Sequence, residues 1–261
     1  MTSSAAAPSP PAIHRVLSCG FAAVKGTTHV ARAAVVLDAH GAVGDRELCV
    51  VDVAGRRVLK TVHHPALLGV VAERADDALR LVMPDGAVVG GPTPPTGERL
   101  TCDYWGRPAE LELLDGPHAA ALSALLGRPV RLAAARRGVV IFGGEGITMV
   151  GTASLRDLGE RAGHQGLVEQ AARFRATFVV ETRTPYEEEG WLGREVAVGD
   201  AVVRVGVGVP RCAIIDRHPG TGAKDGTLLR TLVGYRPRNG AGEPVFGVYA
   251  QVVTPGVVTP G

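Results

Sequence analysis

The spacing of glycine and proline constrains the fold of this chain most. The 261 residues include 35 glycines and 18 prolines, and these break the apolar residues into short runs spaced roughly ten residues apart. Clear runs lie at residues 35–37 and 48–51, and each is followed by a turn sequence that contains Asp and Gly. Short strands separated by turn residues are typical of a small sheet or barrel. The chain is therefore predicted to be mostly β, with a β-barrel and a few short helices.

Three short helices are predicted within this pattern. The first opens at residues 116–118 and ends near Leu126, because Pro117 suits a first helical turn and Gly127 suits the end. The second begins within residues 150–155, with Thr152 or Ser154 as its N-cap, and the third covers residues 228–235. Free backbone N–H groups and the helix dipole make the start of the second helix a candidate anion site.

The strongest break in the pattern is the stretch from Gly90 to Gly97, which holds three glycines and three prolines. We place a loop or a domain joint there. The predicted boundaries are a disordered leader at residues 1–12, a smaller β-barrel-like domain at 13–97, a second β domain at 98–256 and a tail at 257–261.

Composition excludes several classes of protein. The net charge of +2 implies no general attraction to nucleic acid. No run of 18 apolar residues exists, so no membrane span is expected, and the N-terminus lacks a secretory signal. The cysteines are far apart and form no CxxC pair, which argues against zinc and iron–sulfur sites; they are Cys19, Cys49, Cys102 and Cys212. We expect reduced thiols in a cytoplasmic protein.

Residues 205–225 hold the best candidate for chemistry. A strand-like run ends at Pro210-Arg211-Cys212 and then turns through a Gly-rich segment. The Arg211 guanidinium beside the thiol is expected to favour the thiolate, which binds metals and attacks electrophiles. A soft thiolate suits a soft or high-valent metal, so Cys212 is predicted to be a metal ligand. The alternatives are a buried structural thiol at Cys212 and a plain surface charge at Arg211.

Several separated stretches, over about residues 13–256, together resemble two-part members of the MOSC superfamily, such as the mitochondrial amidoxime-reducing component and its bacterial relatives. Each stretch is weak alone, and their order carries the resemblance. They are Phe21-Ala-Ala-Val-Lys-Gly26, Gly44-Asp45-Arg46, Thr152-Ala153-Ser154-Leu155, Arg173-Phe174-Arg175, Pro210-Arg211-Cys212 with Thr221, Gly222 and Asp225, Leu229-Arg-Thr-Leu-Val-Gly-Tyr-Arg236, and Phe246-Gly-Val-Tyr249.

The resemblance implies a MOSC β-barrel preceded by a smaller N-terminal MOSC β-barrel-like region, and a molybdenum–molybdopterin cofactor. Carried over by position, Cys212 would ligate molybdenum and act as the catalytic residue. The predicted cofactor-binding residues are Lys25, Arg46, Thr152, Ser154, Arg175 and Arg211. The chain departs from the family pattern where Ala176-Thr177 replaces Pro-Asn and where Gly26 replaces a serine.

The resemblance also implies an enzyme, a molybdenum-dependent oxidoreductase that reduces N-oxygenated compounds such as hydroxylamines, amidoximes or N-oxides. The chain has no flavin, nicotinamide or iron–sulfur signature, so a separate reductase or ferredoxin would supply the electrons. Two alternatives stay open. One is a non-catalytic molybdenum cofactor carrier that uses the same residues, and the other is a sulfur carrier through a Cys212 persulfide.

Overall fold

The computed structural model describes residues 12–141, 143 and 146–261. Strands dominate this part of the chain. They are β1 (Ala12–His14), β2 (Val16–Phe21), β3 (Val30–Arg32), β4 (Val35–Asp38), β5 (Gly41–Ala42), β6 (Leu48–Asp52), β7 (Arg57–Val58), β8 (Val71–Ala75), β9 (Ala78–Val82), β10 (Val88–Pro92), β11 (Pro95–Tyr104), β12 (Arg107–Leu114), β13 (Arg131–Ala135), β14 (Ile147–Gly151), β15 (Phe178–Val180), β16 (Glu195–Val198), β17 (Ala201–Pro210), β18 (Val245–Thr254) and β19 (Gly256–Val258).

The strands form two main bodies. One is an eight-stranded sheet in the order β1-β16-β17-β18-β14-β15-β2-β3, and the other is a closed barrel of β11, β12, β13, β6 and β7. Two three-stranded sheets, β10-β9-β8 and β19-β4-β5, complete the β structure. The prediction of a mostly β chain with a β-barrel and a few short helices is confirmed.

The predicted helices are confirmed as α1 (His118–Leu126), α2 (Thr152–Ala162) and α3 (Leu228–Tyr235). Short 3-10 helices lie at Pro65–Gly69, Ala171–Phe174, Glu187–Trp191 and Ala213–Asp216. The predicted N-cap of α2 is wrong, because the N-cap is Gly151, in extended backbone geometry, which has no side chain with which to cap the helix. Thr152 and Ser154 already lie inside the helix, where their hydroxyls take other partners.

The stretch from Gly90 to Gly97 is not a loop, contrary to prediction. Strands β10 and β11 cover all of it except residues 93–94. Pro92 is tolerated because β10 is an edge strand, where a missing N–H costs no sheet hydrogen bond. The proposed domain boundary at residue 97 falls inside β11, and the barrel takes strands from both sides of it. The division into domains stays a prediction.

The two ends of the described chain meet in the same sheets. Strand β2 pairs with β15, and β1 lies parallel to β16. The predicted tail begins inside β19, which pairs with β4. The predicted leader lies outside the described residues except for residue 12, the first of β1. These pairings bring the loops after β2 and before β6 beside the C-terminal strands.

Across the described residues, no helix is both long enough and apolar enough to cross a membrane.

Candidate functional site

A cleft lies between the closed barrel and the eight-stranded sheet. It holds about 870 Å³ of space, including open solvent at its mouth. Tyr104 belongs to barrel strand β11, whereas Thr148 and Tyr249 belong to sheet strands β14 and β18. The lining residues are Lys25, Arg46, Thr61, Val62, Tyr104, Trp105, Ile141, Thr148, Phe174, Arg175, Val209, Pro210, Arg211, Cys212, Ile214, Glu243 and Tyr249.

Five of the seven predicted site residues share this cleft, although they are far apart in sequence. They are Lys25, Arg46, Arg175, Arg211 and Cys212. The remaining two, Thr152 and Ser154, are fully buried in α2 and do not line the cleft. The structure therefore brings the cations to the cysteine and leaves the start of α2 elsewhere.

Lys25, Arg46 and Arg175 form a cluster of cations, called here the cation trio. Arg46 donates from Nη2 to the carbonyl of Arg175 at 2.9 Å, and Arg175 donates from Nη1 to the carbonyl of Thr27 at 2.7 Å. Asp45 Oδ1 lies 3.1 Å from Arg46 Nε. Lys25 Nζ lies 4.9 Å from the centre of the Tyr104 ring. Among the described residues, Asp45 is thus the carboxyl group that forms an ion pair with the cation trio.

Burial and mutual repulsion act on the cation trio. Burial, followed by the charges of Arg46 and Arg175, lowers the pKa of Lys25 to about 7. Burial and then Arg46 lower the pKa of Arg175 to about 10. Burial raises the pKa of Asp45, which weakens its ability to balance the trio. A bound anion would relieve this repulsion, because an opposite charge favours the protonated lysine.

Two members of the cation trio also have strained backbones. Arg46 has φ 50° and Arg175 has φ 53°, and Trp105 at the mouth of the cleft has φ 57°. This left-handed region costs a non-glycine residue of the order of 1–3 kcal/mol. Three of the six such residues in the described chain line this one cleft. Backbone strain of this kind is characteristic of functional sites.

Cys212 lies at the end of strand β17, immediately before the 3-10 helix Ala213–Asp216. Its side chain is partly exposed, whereas Cys19, Cys49 and Cys102 are buried. The loop that follows is anchored by Arg173, whose guanidinium makes two bonds to the Asp225 carboxylate, at 2.6 and 2.7 Å. Cys212 is thus the one accessible thiol among the four, held on a fixed loop.

Arg211 is buried and is not a surface charge. It is 7% exposed, and it donates from Nε to the carbonyl of Phe246 and from Nη1 to that of Phe174, both at 2.8 Å. Its Nη2 is buried without a hydrogen-bond partner among the described residues, and burial lowers the pKa of Arg211 to about 10. The expectation that Arg211 favours the Cys212 thiolate stays a prediction.

The start of α2 is occupied by the protein's own carboxyl group. Glu188 accepts a hydrogen bond from the backbone N–H of Gly151 at 3.0 Å and from Ser154 Oγ at 2.8 Å. The backbone N–H of Ala153 donates to Thr182 Oγ1 at 3.0 Å, and Glu188 is fully buried. The predicted anion site at this helix start is therefore filled from within.

Sequence reasoning missed several residues that shape the cleft and the start of α2. Tyr104 and Tyr249 line the cleft, but each reads in the sequence as one apolar member of a strand. Glu188 belongs to a run of three glutamates, which resembles a solvated face.

In the described part of the chain, no group of three His, Cys, Asp or Glu side chains is arranged to hold a metal ion.

Comparison with known proteins gives one family match. Residues 138–261 match the model of the MOSC domain. Among solved structures, the YUAD protein from Bacillus subtilis is 11% identical, with a TM-score of 0.45 over 95% of this chain and 92% of that one. YiiM from Geobacillus stearothermophilus is 20% identical, with a TM-score of 0.31 over 45% of this chain and 51% of that one. No curated protein matches the chain.

Proposed function

We propose that this chain, which carries a MOSC domain over residues 138–261, binds a molybdenum–molybdopterin cofactor in its cleft and reduces N-oxygenated compounds there. The MOSC domain supports an association with the molybdenum cofactor in general. The observation that carries the finer proposal is that the cation trio and Cys212 line the same cleft.

The cation trio fits the phosphate end of such a cofactor. Arg175 Nη2 is buried without a hydrogen-bond partner among the described residues. Arg46 Nε is also buried without a hydrogen-bond partner there, although it forms an ion pair with Asp45. Guanidinium groups suit phosphate because their planar N–H donors can pair with two oxygens. Each charge-assisted hydrogen bond of this kind contributes about 1.5–3 kcal/mol.

Cys212 would hold the metal through its sulfur, since thiolates are the ligands preferred by soft metals. When bound, the cofactor supplies the removal of an oxygen atom, in which a hydroxylamine takes up two electrons and two protons and yields an amine and water. The walls next to Cys212 are apolar, formed by Val209, Pro210 and Ile214. These walls would limit water near the reacting group and leave room for an apolar substrate.

Electrons for this reaction would come from a separate reductase or ferredoxin. A non-catalytic carrier would use the same cleft and the same cations. A sulfur carrier would need Cys212 alone, and so it would leave the cation trio without a role.

The test is to produce the protein in a host that makes the cofactor, and to measure molybdenum, pterin and reduction of hydroxylamine by dithionite-reduced methyl viologen. We expect molybdenum and activity in the wild-type protein and their loss in Cys212→Ala. The matched control is Cys19→Ala, a buried thiol outside the cleft lining, which should keep both.

Three results would contradict the proposal. Molybdenum and pterin no higher than in an unrelated protein from the same host would exclude cofactor binding. A loaded protein that donates cofactor to an apo-enzyme but reduces nothing would be a carrier. A persulfide on Cys212 without molybdenum would indicate sulfur transfer.

A further inference from the structure

The mouth of the cleft carries a group of cations around an exposed tryptophan. We propose that this group, called here the mouth platform and formed by Arg56, Arg57, Lys60, Trp105 and Arg107, docks an acidic electron-carrier protein. The proposal rests on the proposed function, because it names the surface through which electrons would reach the cleft.

Direct contacts join the mouth platform to the cleft. Arg57 on β7 pairs in register with Asp103 on β11, and the carbonyl of Arg56 accepts from the N–H of Asp103 at 2.8 Å. Lys60 Nζ lies 4.1 Å from the centre of the Trp105 ring. Trp105 itself lines the cleft. A protein seated on the platform would therefore cover the cleft's mouth.

The backbone at the tips of the two platform turns is strained. Arg56 has φ 45° and Trp105 has φ 57°, so both occupy the left-handed region that bulky residues avoid. Trp105 and Gly106 form a two-residue turn between β11 and β12, where Asn-Gly is the usual pair. Tryptophan and arginine are the residue types most enriched among interface hot spots. Their presence at strained positions favours a binding role over turn stability.

Charge determines the kind of partner. In the described part of the chain, none of the four platform cations forms an ion pair. Of the nearby carboxylates, Asp52 is paired with Arg128. Asp103 accepts from the N–H of Gly106 and keeps its negative charge, so it offsets one of the four cations. Glu243, in the cleft lining, bonds to Asn239. The platform therefore presents net positive charge and suits an acidic surface.

The position of the arginines favours a protein over a small anion. Arg56, Arg57 and Arg107 are exposed and lie outside the cleft lining. The Arg107 guanidinium is held at the cleft wall, where Nη2 donates to the carbonyl of Ile141 at 3.0 Å. Arg56 and Arg57 do not line the cleft, so a molecule held inside it would not need them, whereas a protein that covers the mouth would reach them. Each docked carrier would deliver one electron, so two docking events would complete one two-electron reduction.

The test measures binding of two acidic carriers, a plant-type [2Fe–2S] ferredoxin and a flavodoxin, to the full-length protein. Arg56→Glu combined with Arg57→Glu should weaken binding at least roughly tenfold and flatten its salt dependence. The matched control Arg230→Glu changes an exposed cation on α3 and should stay within about twofold. Reduction by dithionite–viologen should be equal in the wild type, the double variant and the control, because that donor needs no docking.

A second variant separates docking from folding. Trp105→Asn places the preferred residue in the turn, so it should raise the melting temperature and still weaken binding of the carriers.

Failure of both carriers to bind at low salt would overturn the proposal, and so would equal losses of carrier binding in the double variant and the control. A double variant that loses only its affinity for small anionic substrates, and binds the carriers normally, would also overturn the proposal. Absence of molybdenum would instead overturn the proposed function, and the binding experiment would still report on the platform.

Discussion

The cleft and the start of α2 are both candidate anion sites, but the protein treats them in opposite ways. At α2, the carboxyl group of Glu188 takes the donors of Gly151 and Ser154, and the place is fully buried. In the cleft, the cation trio is ion-paired only through Asp45 and Arg46, and Arg175 Nη2 has no hydrogen-bond partner among the residues that the structure describes. Positive potential alone therefore does not mark a ligand site. A ligand site needs positive groups that the chain itself leaves unsatisfied.

The two places also differ in what they contribute to stability. The interactions of Glu188 satisfy buried donors and therefore stabilise the fold. The cation trio repels itself, so it destabilises the protein until an anion binds. Removing a charge should consequently have opposite effects on stability at the two places.

The largest effect is expected from Glu188→Ala. The change removes two hydrogen bonds and leaves buried donors on Gly151 and Ser154 unsatisfied, so the free energy of unfolding should fall by about 3 kcal/mol. Urea denaturation measures this. The matched control Glu181→Ala removes an exposed glutamate paired with Arg15 at 3.5 Å and should cost under about 0.5 kcal/mol. Equal losses in both variants would mean that α2 does not depend on Glu188.

Lys25→Met tests the cleft in the opposite direction. The variant should bind sulfate about tenfold more weakly, because one charge-assisted contact is lost. Without anion it should be more stable than the wild type by about 1 kcal/mol, because a repelled cation leaves a buried position. Calorimetric titration and urea denaturation measure the two quantities. Lys224→Met, at an exposed lysine, is the control and should change neither; weaker sulfate binding there would contradict the assignment.

The last effect concerns pH. The pKa of Lys25 is lowered to about 7, so its positive charge is present below that pH and lost above it. Sulfate, which keeps its charge over this range, should bind more weakly as pH rises from 6 to 8. Since the unfolded lysine retains its proton, stability without anion should rise from pH 7 towards 10. Titrations at several pH values check this, and a pH dependence unchanged in Lys25→Met would rule out Lys25 as its source.

Local sequence patterns predicted the three helices and most strands well. They did not predict which distant segments of the chain pair with one another. The helix boundaries followed from Pro117, Gly127 and the apolar run of α3, because capping and periodicity are local. The stretch from Gly90 to Gly97 was wrongly predicted to be a loop, because Pro92 lies in an edge strand and Pro95 is the first residue of β11, and both positions tolerate proline.

The candidate site shows the same contrast between local and distant signals. Residues of the cation trio were found through the family resemblance, and the structure brings them to Cys212. Thr152 and Ser154 do not line the cleft, and Glu188, 34 residues beyond Ser154, occupies the start of α2 instead of a ligand. Nothing near Glu188 in the sequence signals this bond, since it depends on how the chain folds back on itself.

The position of the phosphate in the cofactor-loaded protein distinguishes the cleft from the start of α2 as the cofactor site. A crystal structure of the protein from a cofactor-producing host should show the phosphate bonded to Lys25, Arg46 and Arg175, and the metal bonded to Cys212 Sγ. A phosphate at Gly151 and Ser154, with Glu188 displaced, would contradict the claim. So would a cofactor bound anywhere outside the cleft.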